Sequence, residues 1–207
     1  MGQKGLSLTK LGICIYCILS FGCSHPNDIK KEVVFENIDV AAIPNDTIFQ
    51  THSTLSLLNG VYFLNNKPYS GFIQNMYAPG LIKSIGSYFK GKQHGATKTY
   101  YYNGKIESIR NYKDGIGYGR HVGYWKNGNQ KFDFIYYNDK REGIQKQWYE
   151  NGNKYYELSF VDDKENGMQK AWRENGKPYI NYEVKDGLRY GLQKAALCYT
   201  LKNGQTK

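Results

Sequence analysis

The sequence predicts an all-β protein, an elongated antiparallel single-layer sheet built from tandem 24-residue β-hairpin repeats. Three observations lead there. Glycine recurs every 24 residues at Gly71, Gly95, Gly119, Gly143, Gly167 and Gly191, and a second column follows nine positions later at Gly80, Gly104, Gly128, Gly152 and Gly176. In four units of the second column asparagine precedes the glycine: Asn103, Asn127, Asn151 and Asn175. Asn-Gly is a strong signal for a two-residue hairpin turn, whose central positions both need positive φ. The composition agrees, with 20 tyrosines for strands and 23 glycines for turns against 3 methionines. A hairpin cannot bury its own apolar face, so neighbours must stack, and the working surface becomes a long face and not a cleft.

The unit from Gly143 to Gly167 shows how each element is placed. Strand one is expected over Ile144 to Glu150, a turn at Asn151-Gly152, strand two over Asn153 to Phe160, and a return loop over Val161 to Asn166. A two-residue turn sets Gln147 against Tyr156, Gln145 against Leu158 and Gly143 against Phe160 on one side of the sheet. The other side then carries Trp148 against Tyr155 and Lys146 against Glu157. Carried to the other repeats, the first side collects rows of Phe132, Tyr156 and Ile180, of Phe134, Leu158 and Tyr182, and of Tyr112, Tyr136, Phe160 and Val184. This is the expected core. The first glycine column faces the last of these rows, where a bulky ring leaves little room, so it is expected to have a packing role besides a turn role.

The opposite side collects Tyr100, Tyr124, Trp148 and Trp172, flanked by Lys98, Lys146 and Lys170. This aromatic stripe is the possible binding face. Two roles are open to it, a platform for a ligand or a staple between neighbouring repeats.

The amino terminus divides from the array. Lys4 and Lys10 precede an apolar run from Leu11 to Phe21, the length of a signal-peptide core and too short to cross a bilayer comfortably. The run ends at Gly22-Cys23, which resembles a bacterial lipobox, and that resemblance implies lipid (palmitate) attachment at Cys23. The expected organisation is therefore a lipoprotein signal peptide at 1–22, a mostly irregular tether at 23–59, and the repeat array with atypical capping ends at 60–207. Cys14 and Cys17 fall inside the signal peptide, so their spacing is not a redox or zinc motif, and Cys198 is left with no intramolecular disulfide partner. Glu32 to Phe35 could add an edge strand. The expected location is the bacterial cell envelope, lipid-anchored to a membrane and facing the periplasm or the exterior.

Catalytic residues are not expected. His25 and His52 lie in the tether, and His94 and His121 occupy different places in their repeats, so all four read as isolated surface histidines with no metal site. Asp133, Glu157 and Glu183 recur along the array, but acid–base chemistry needs a pocket that shifts a pKa, and a single layer of hairpins does not supply one. Phosphate-loop, nucleophile-elbow and dinucleotide motifs are absent, so no enzyme activity and no cofactor are expected. The net charge of +10 is spread through every repeat beside acidic residues, which reads as a solvated surface with no nucleic-acid partner.

Several phased stretches carry a resemblance: Lys98 to Gly104 (KTYYYNG), Gln147 to Gly152 (QWYENG), Ala171 to Gly176 (AWRENG) and Tyr112 to Gly115 (YKDG). They resemble the bacterial variant of the MORN (membrane occupation and recognition nexus) repeat, over roughly Gly60 to Gly191. The chain is similar to envelope lipoproteins of the YwqK-type toxin–antitoxin antitoxin group. That resemblance implies a non-enzymatic, membrane-anchored module whose partner is a protein or an extended envelope polymer. The alternative it implies is an antitoxin or immunity protein against an envelope-acting or secreted toxin. Oligomeric state is not legible.

Overall fold

Among the described residues, every regular element of the structure, a computed structural model covering 37–193, is a β-strand. Cys23, Cys198 and the Glu32–Phe35 segment lie outside the described residues. Strand β1 (Thr47–Phe49) is followed by a small antiparallel sheet of β2 (Leu55–Leu58), β3 (Val61–Leu64) and β4 (Lys67–Pro68). Three strands open the main sheet: β5 (Gly71–Ala78), β6 (Leu81–Phe89) and β7 (Lys92–Tyr100). Next come β8 (Ile106–Lys113), the two-residue β9 (Ile116–Gly117), β10 (Gly119–Tyr124) and β11 (Gln130–Tyr137). The sheet is completed by β12 (Lys140–Arg141), β13 (Gly143–Trp148), β14 (Lys154–Val161), β15 (Lys164–Trp172), β16 (Pro178–Lys185) and β17 (Leu188–Leu192). From β5 to β17 neighbours pair antiparallel in chain order, with the two-residue β9 and β12 pairing only β8 and β11, so that β8 runs on to β10 and β11 to β13. The exception is β1, which lies parallel to β5, so part of the segment expected to be mostly irregular extends the sheet at that edge.

The two ends of each hairpin differ from the expectation. At the asparagine–glycine end the loop holds three residues, not two. The Tyr149 N–H donates to the Asn153 carbonyl at 2.8 Å and the Gly152 N–H to the Tyr149 carbonyl at 3.0 Å, enclosing Glu150, Asn151 and Gly152. Only Gly152 of these has positive φ, at 89°. This is a turn followed by a left-handed residue, the usual three-residue hairpin. Asparagine is selected for a different reason: the Asn151 Oδ1 accepts the Asn153 N–H at 2.9 Å, and the same bond recurs at Asn103, Asn127 and Asn175. Its side chain supplies the turn's hydrogen bond two residues on.

The tight turns with two positive φ values sit at the other end, where a return loop was expected. Asp162 and Asp163, at φ 52° and 66°, join Val161 directly to Lys164. Asn138-Asp139 and Asp114-Gly115 do the same one and two repeats earlier.

The pairing inferred for Gly143, Gln145, Lys146 and Gln147 nevertheless matches the structure. The longer loop shifts the pairing by one residue, so Trp148 faces Lys154 and not Tyr155, and a bulge at Tyr155 shifts it back. The first glycine column marks a second irregularity. Phe160 pairs with Glu165, and two residues earlier in β14 a regular ladder would join Leu158 to Gly167, but Leu158 pairs with Gln169. The same slip recurs between β6 and β7. The glycine at each slip is in the left-handed region, with Gly143 at φ +68°. Lack of room is not what keeps Gly143 small, because a Cβ there would meet only the Ile135 Cδ1 at 3.9 Å. Backbone conformation replaces the packing role expected for that position.

The face expected to be the core holds the buried residues Ile73, His121, Gln145, Phe160, Gln169, Ala171, Tyr182 and Val184. Replacing Gly152 by valine is expected to lower the unfolding free energy by roughly 1–3 kcal/mol, the cost of holding a branched residue in left-handed backbone. Lys146→Ala is expected to change it by less than about 0.5 kcal/mol. Chemical denaturation of the two variants checks the placement of this turn.

Candidate functional site

The four residues of the aromatic stripe each end a strand: Tyr100 ends β7, Tyr124 ends β10, Trp148 ends β13 and Trp172 ends β15. Alternation along each strand puts Tyr100, Trp148 and Trp172 on the same side as Lys98, Lys146 and Lys170, opposite the buried face. All four rings are half-buried. No ring-to-ring contact joins any two of them among the described residues, and the Lys154 ammonium stands over the Trp172 ring at 5.7 Å from its centre. They form a row of separate rings.

The stapling of repeats is done by the next column along, which sequence reasoning passed over. The Tyr77 hydroxyl donates to the Tyr100 carbonyl at 3.0 Å, and the Tyr101 hydroxyl to the Tyr124 carbonyl at 2.8 Å. The Trp125 indole N–H donates to the Trp148 carbonyl at 3.1 Å, and the Tyr149 hydroxyl to the Trp172 carbonyl at 2.9 Å. Each bond spans 23 residues, one repeat to the next. The signal was present: Tyr77, Tyr101, Trp125 and Tyr149 are 24 apart and all carry a ring with a polar hydrogen. The bulged residue of each hairpin covers this column. Lys83 stands over Tyr77 at 5.7 Å, Lys131 over Trp125 at 4.4 Å, and the Tyr155 ring lies 4.9 Å from Tyr149. Burial first, and then a hydrogen bond with Tyr155, push the Tyr179 hydroxyl up to about 12. Burial also raises the Tyr101 and Tyr149 hydroxyls above their ordinary 10, which keeps these two neutral as donors.

A buried polar column repairs the backbone where the ladder slips. The Gln145 side chain donates to the Ile135 carbonyl at 3.0 Å and to the Glu142 carbonyl at 2.8 Å, and its Oε1 accepts the Ile135 N–H at 3.1 Å. One repeat on, Gln169 donates to the Ser159 carbonyl at 2.8 Å. One repeat back, the position is His121, whose Nε2 lies 2.7 Å from the Asn111 carbonyl and therefore carries the proton. In the first repeat Ser87 does this work, its single O–H donating to the His94 carbonyl at 2.6 Å with the Ala96 carbonyl 3.1 Å away. Unpaired backbone groups inside a sheet are costly, so each slip needs such a partner.

Two histidines therefore depart from the expected surface role. His121 is 7% exposed and His94 is 8% exposed. The His94 ring bonds Asp114 through Nδ1 and the Asp39 carbonyl through Nε2, both at 3.1 Å, which fastens the segment before β1 to the array. Burial holds the His121 imidazole below its ordinary 6.5. As pH falls, the unfolded chain takes up this proton first. His121 thus costs no stability above the unfolded pKa, and stability drops as pH passes from about 6.5 down through the depressed folded value. Gln occupies the equivalent position in the next two repeats, so His121→Gln is expected to remove this component. Urea unfolding at about pH 8 and about pH 5 should show wild type losing more stability than the variant.

The carboxylates are not gathered into a site. Asp133 and Glu157 lie on either side of Lys146 and bond Arg120 and Lys154, while Glu183 stands in another row beside Met168. Among the described residues no group of three or more His, Cys, Asp or Glu side chains is arranged to hold a metal.

A comparison with curated proteins finds no match. Two stretches of the chain, residues 93–114 and 141–162, match the MORN repeat variant, and each spans one hairpin with a three-residue loop, β7–β8 in the first and β13–β14 in the second.

Proposed function

We propose that this chain is a non-enzymatic binding module that takes a protein or an extended polymer along its sheet surface, and that the stripe of Tyr100, Tyr124, Trp148 and Trp172 is the binding face. One observation carries the reading. The inter-repeat bonds use the side chains of Tyr77, Tyr101, Trp125 and Tyr149, which leaves the four stripe rings partly exposed and unstacked on one another. Aromatic rings in that state concentrate binding energy, and a continuous sheet of hairpins presents them at repeat spacing. The basic and then apolar amino terminus supports anchoring through lipid on Cys23, in the bacterial envelope and facing the periplasm or the exterior.

Replacing Trp148 and Trp172 separately with alanine tests the reading. The expected result is loss of native partners recovered from membranes, with the unfolding free energy changed by no more than about 1 kcal/mol. Loss of stability with binding retained by the folded fraction would make the rings structural. A Cys23→Ala chain is expected to take up no labelled palmitate and to leave the membrane fraction.

A further inference from the structure

On the face opposite the stripe the earlier and the later repeats differ at two positions. The position filled by Phe134, Leu158 and Tyr182 in the later repeats is Arg110 in β8, and the position filled by Phe132, Tyr156 and Ile180 is Ser108. Thr97 and Thr99 of β7 lie directly across from Arg110 and Ser108 in the register. The two positions of β8 that carry rings or aliphatic side chains in the later repeats thus carry a hydroxyl and a guanidinium here, across from Thr97, whose row holds His121, Gln145 and Gln169 in later repeats, and Thr99, whose row holds Gly123, Gln147 and Ala171. The result is a hollow of about 230 Å³, walled by Phe132 and edged by Lys131. One repeat earlier the same two positions are Ser84 and Gly86, so the apolar filling begins only with β11, and Arg110 is the charged side chain in a row that otherwise holds Gly86, Phe134, Leu158 and Tyr182.

The chemistry of the hollow selects its occupant. Arg110 is exposed and has no carboxylate partner among the described residues. Its guanidinium carbon lies 5.8 Å from the centre of the Phe132 ring. Packing against an aromatic ring leaves the N–H edge of an arginine free, and that edge fits a planar carboxylate with two parallel bonds. The Thr99 and Ser108 hydroxyls are hydrogen-bonded to each other at 2.8 Å beside it, which leaves one O–H of the pair as a further donor. The volume is smaller than the roughly 300–1,000 Å³ of ordinary small-molecule pockets, and suits one side chain. Glu107 also lines the hollow, which disfavours a doubly charged group such as phosphate.

We infer that the Arg110 hollow is a second binding site, separate from the aromatic stripe, which takes an aspartate or glutamate side chain from an extended acidic peptide segment. The chain's net charge of +10 favours the approach of such a partner.

The test uses the full chain in detergent and a fluorescently labelled hexaglutamate peptide, read by anisotropy. Arg110→Leu installs the residue that the array itself uses at Leu158, so it is expected to unfold at the same denaturant concentration or higher while binding the peptide roughly tenfold more weakly. Arg110→Gln is expected to weaken binding similarly, and Lys146→Gln, on the opposite face, by less than about twofold. Absence of binding to wild type would overturn the site. So would equal weakening by the Arg110 and Lys146 variants, which would mean diffuse attraction to a basic surface. Displacement of the peptide by inorganic phosphate at lower concentration than by acetate would overturn the choice of a carboxylate. The Trp148 and Trp172 variants are expected to bind the peptide as wild type does, so the stripe and the hollow stand or fall separately.

Discussion

Gln145→Leu is expected to lower the unfolding free energy by roughly 3 kcal/mol, because leucine fills the space and leaves buried backbone groups with no partner. Gln145 is 2% exposed, and its amide serves the carbonyls of Ile135 and Glu142 and the N–H of Ile135 together. The same substitution at Gln169 is expected to cost less. That side chain bonds the Ser159 carbonyl through its nitrogen, but its Oε1 has no hydrogen-bond partner, so leucine removes one satisfied group and one unsatisfied group at once. Denaturant unfolding of the two variants should therefore rank them, with the Gln145 change the larger. Equal losses would show that burial, and not repair of the slipped ladder, makes glutamine necessary.

Gly71→Ala is expected to be the other large effect, at roughly 3 kcal/mol or more, since it combines backbone strain with a clash. Gly71 has φ +141°, and an added Cβ would lie 2.6 Å from the backbone carbonyl of Asp46, which cannot move aside without breaking the parallel strand at the sheet edge. The Asp46 carbonyl is held there by the Phe72 N–H at 2.7 Å and by the Tyr69 hydroxyl at 3.0 Å. Gly143→Ala is expected to cost about 1 kcal/mol, because only its left-handed φ is at stake and the space beside it is open. The two glycines occupy the same column for different reasons. Thermal unfolding that shifted equally for both would remove the distinction.

The fold was legible in the glycine spacing, and the pairing at Gly143, Gln145, Lys146 and Gln147 was legible with it. That pairing came out correctly through two compensating differences. Asn151-Gly152 reads as a two-residue turn, yet Glu150 joins the loop, and the Tyr155 bulge then restores the alternation. A bulge carries no local residue signature here, since its position holds Lys83, Glu107, Lys131, Tyr155 and Tyr179 in successive repeats. The tight turns were hidden for a related reason. Asp162-Asp163 lacks glycine, and aspartate tolerates positive φ while bonding the turn beside it, as Asp163 does with Arg141.

The site was legible only in part. The 24-residue spacing placed Tyr100, Tyr124, Trp148 and Trp172 at equivalent positions, but side-chain spacing alone could not say that their carbonyls, and not their rings, tie one repeat to the next. His121 illustrates the remaining gap. It looks isolated because no other histidine shares its phase, but its phase is shared by Gln145 and Gln169, and the three side chains do the same work on the backbone. Function in that column follows hydrogen-bonding capacity and not residue type.

The most direct measurement is photo-crosslinking of the native partner from each face. A benzophenone side chain is placed at Trp148, in the stripe, or at Leu158, on the buried face and away from the Arg110 hollow, in cells that make the full chain. The account predicts a specific crosslinked species from position 148 and none from position 158. Crosslinking from position 158 alone, or no species from either position while the chain is folded, would contradict it.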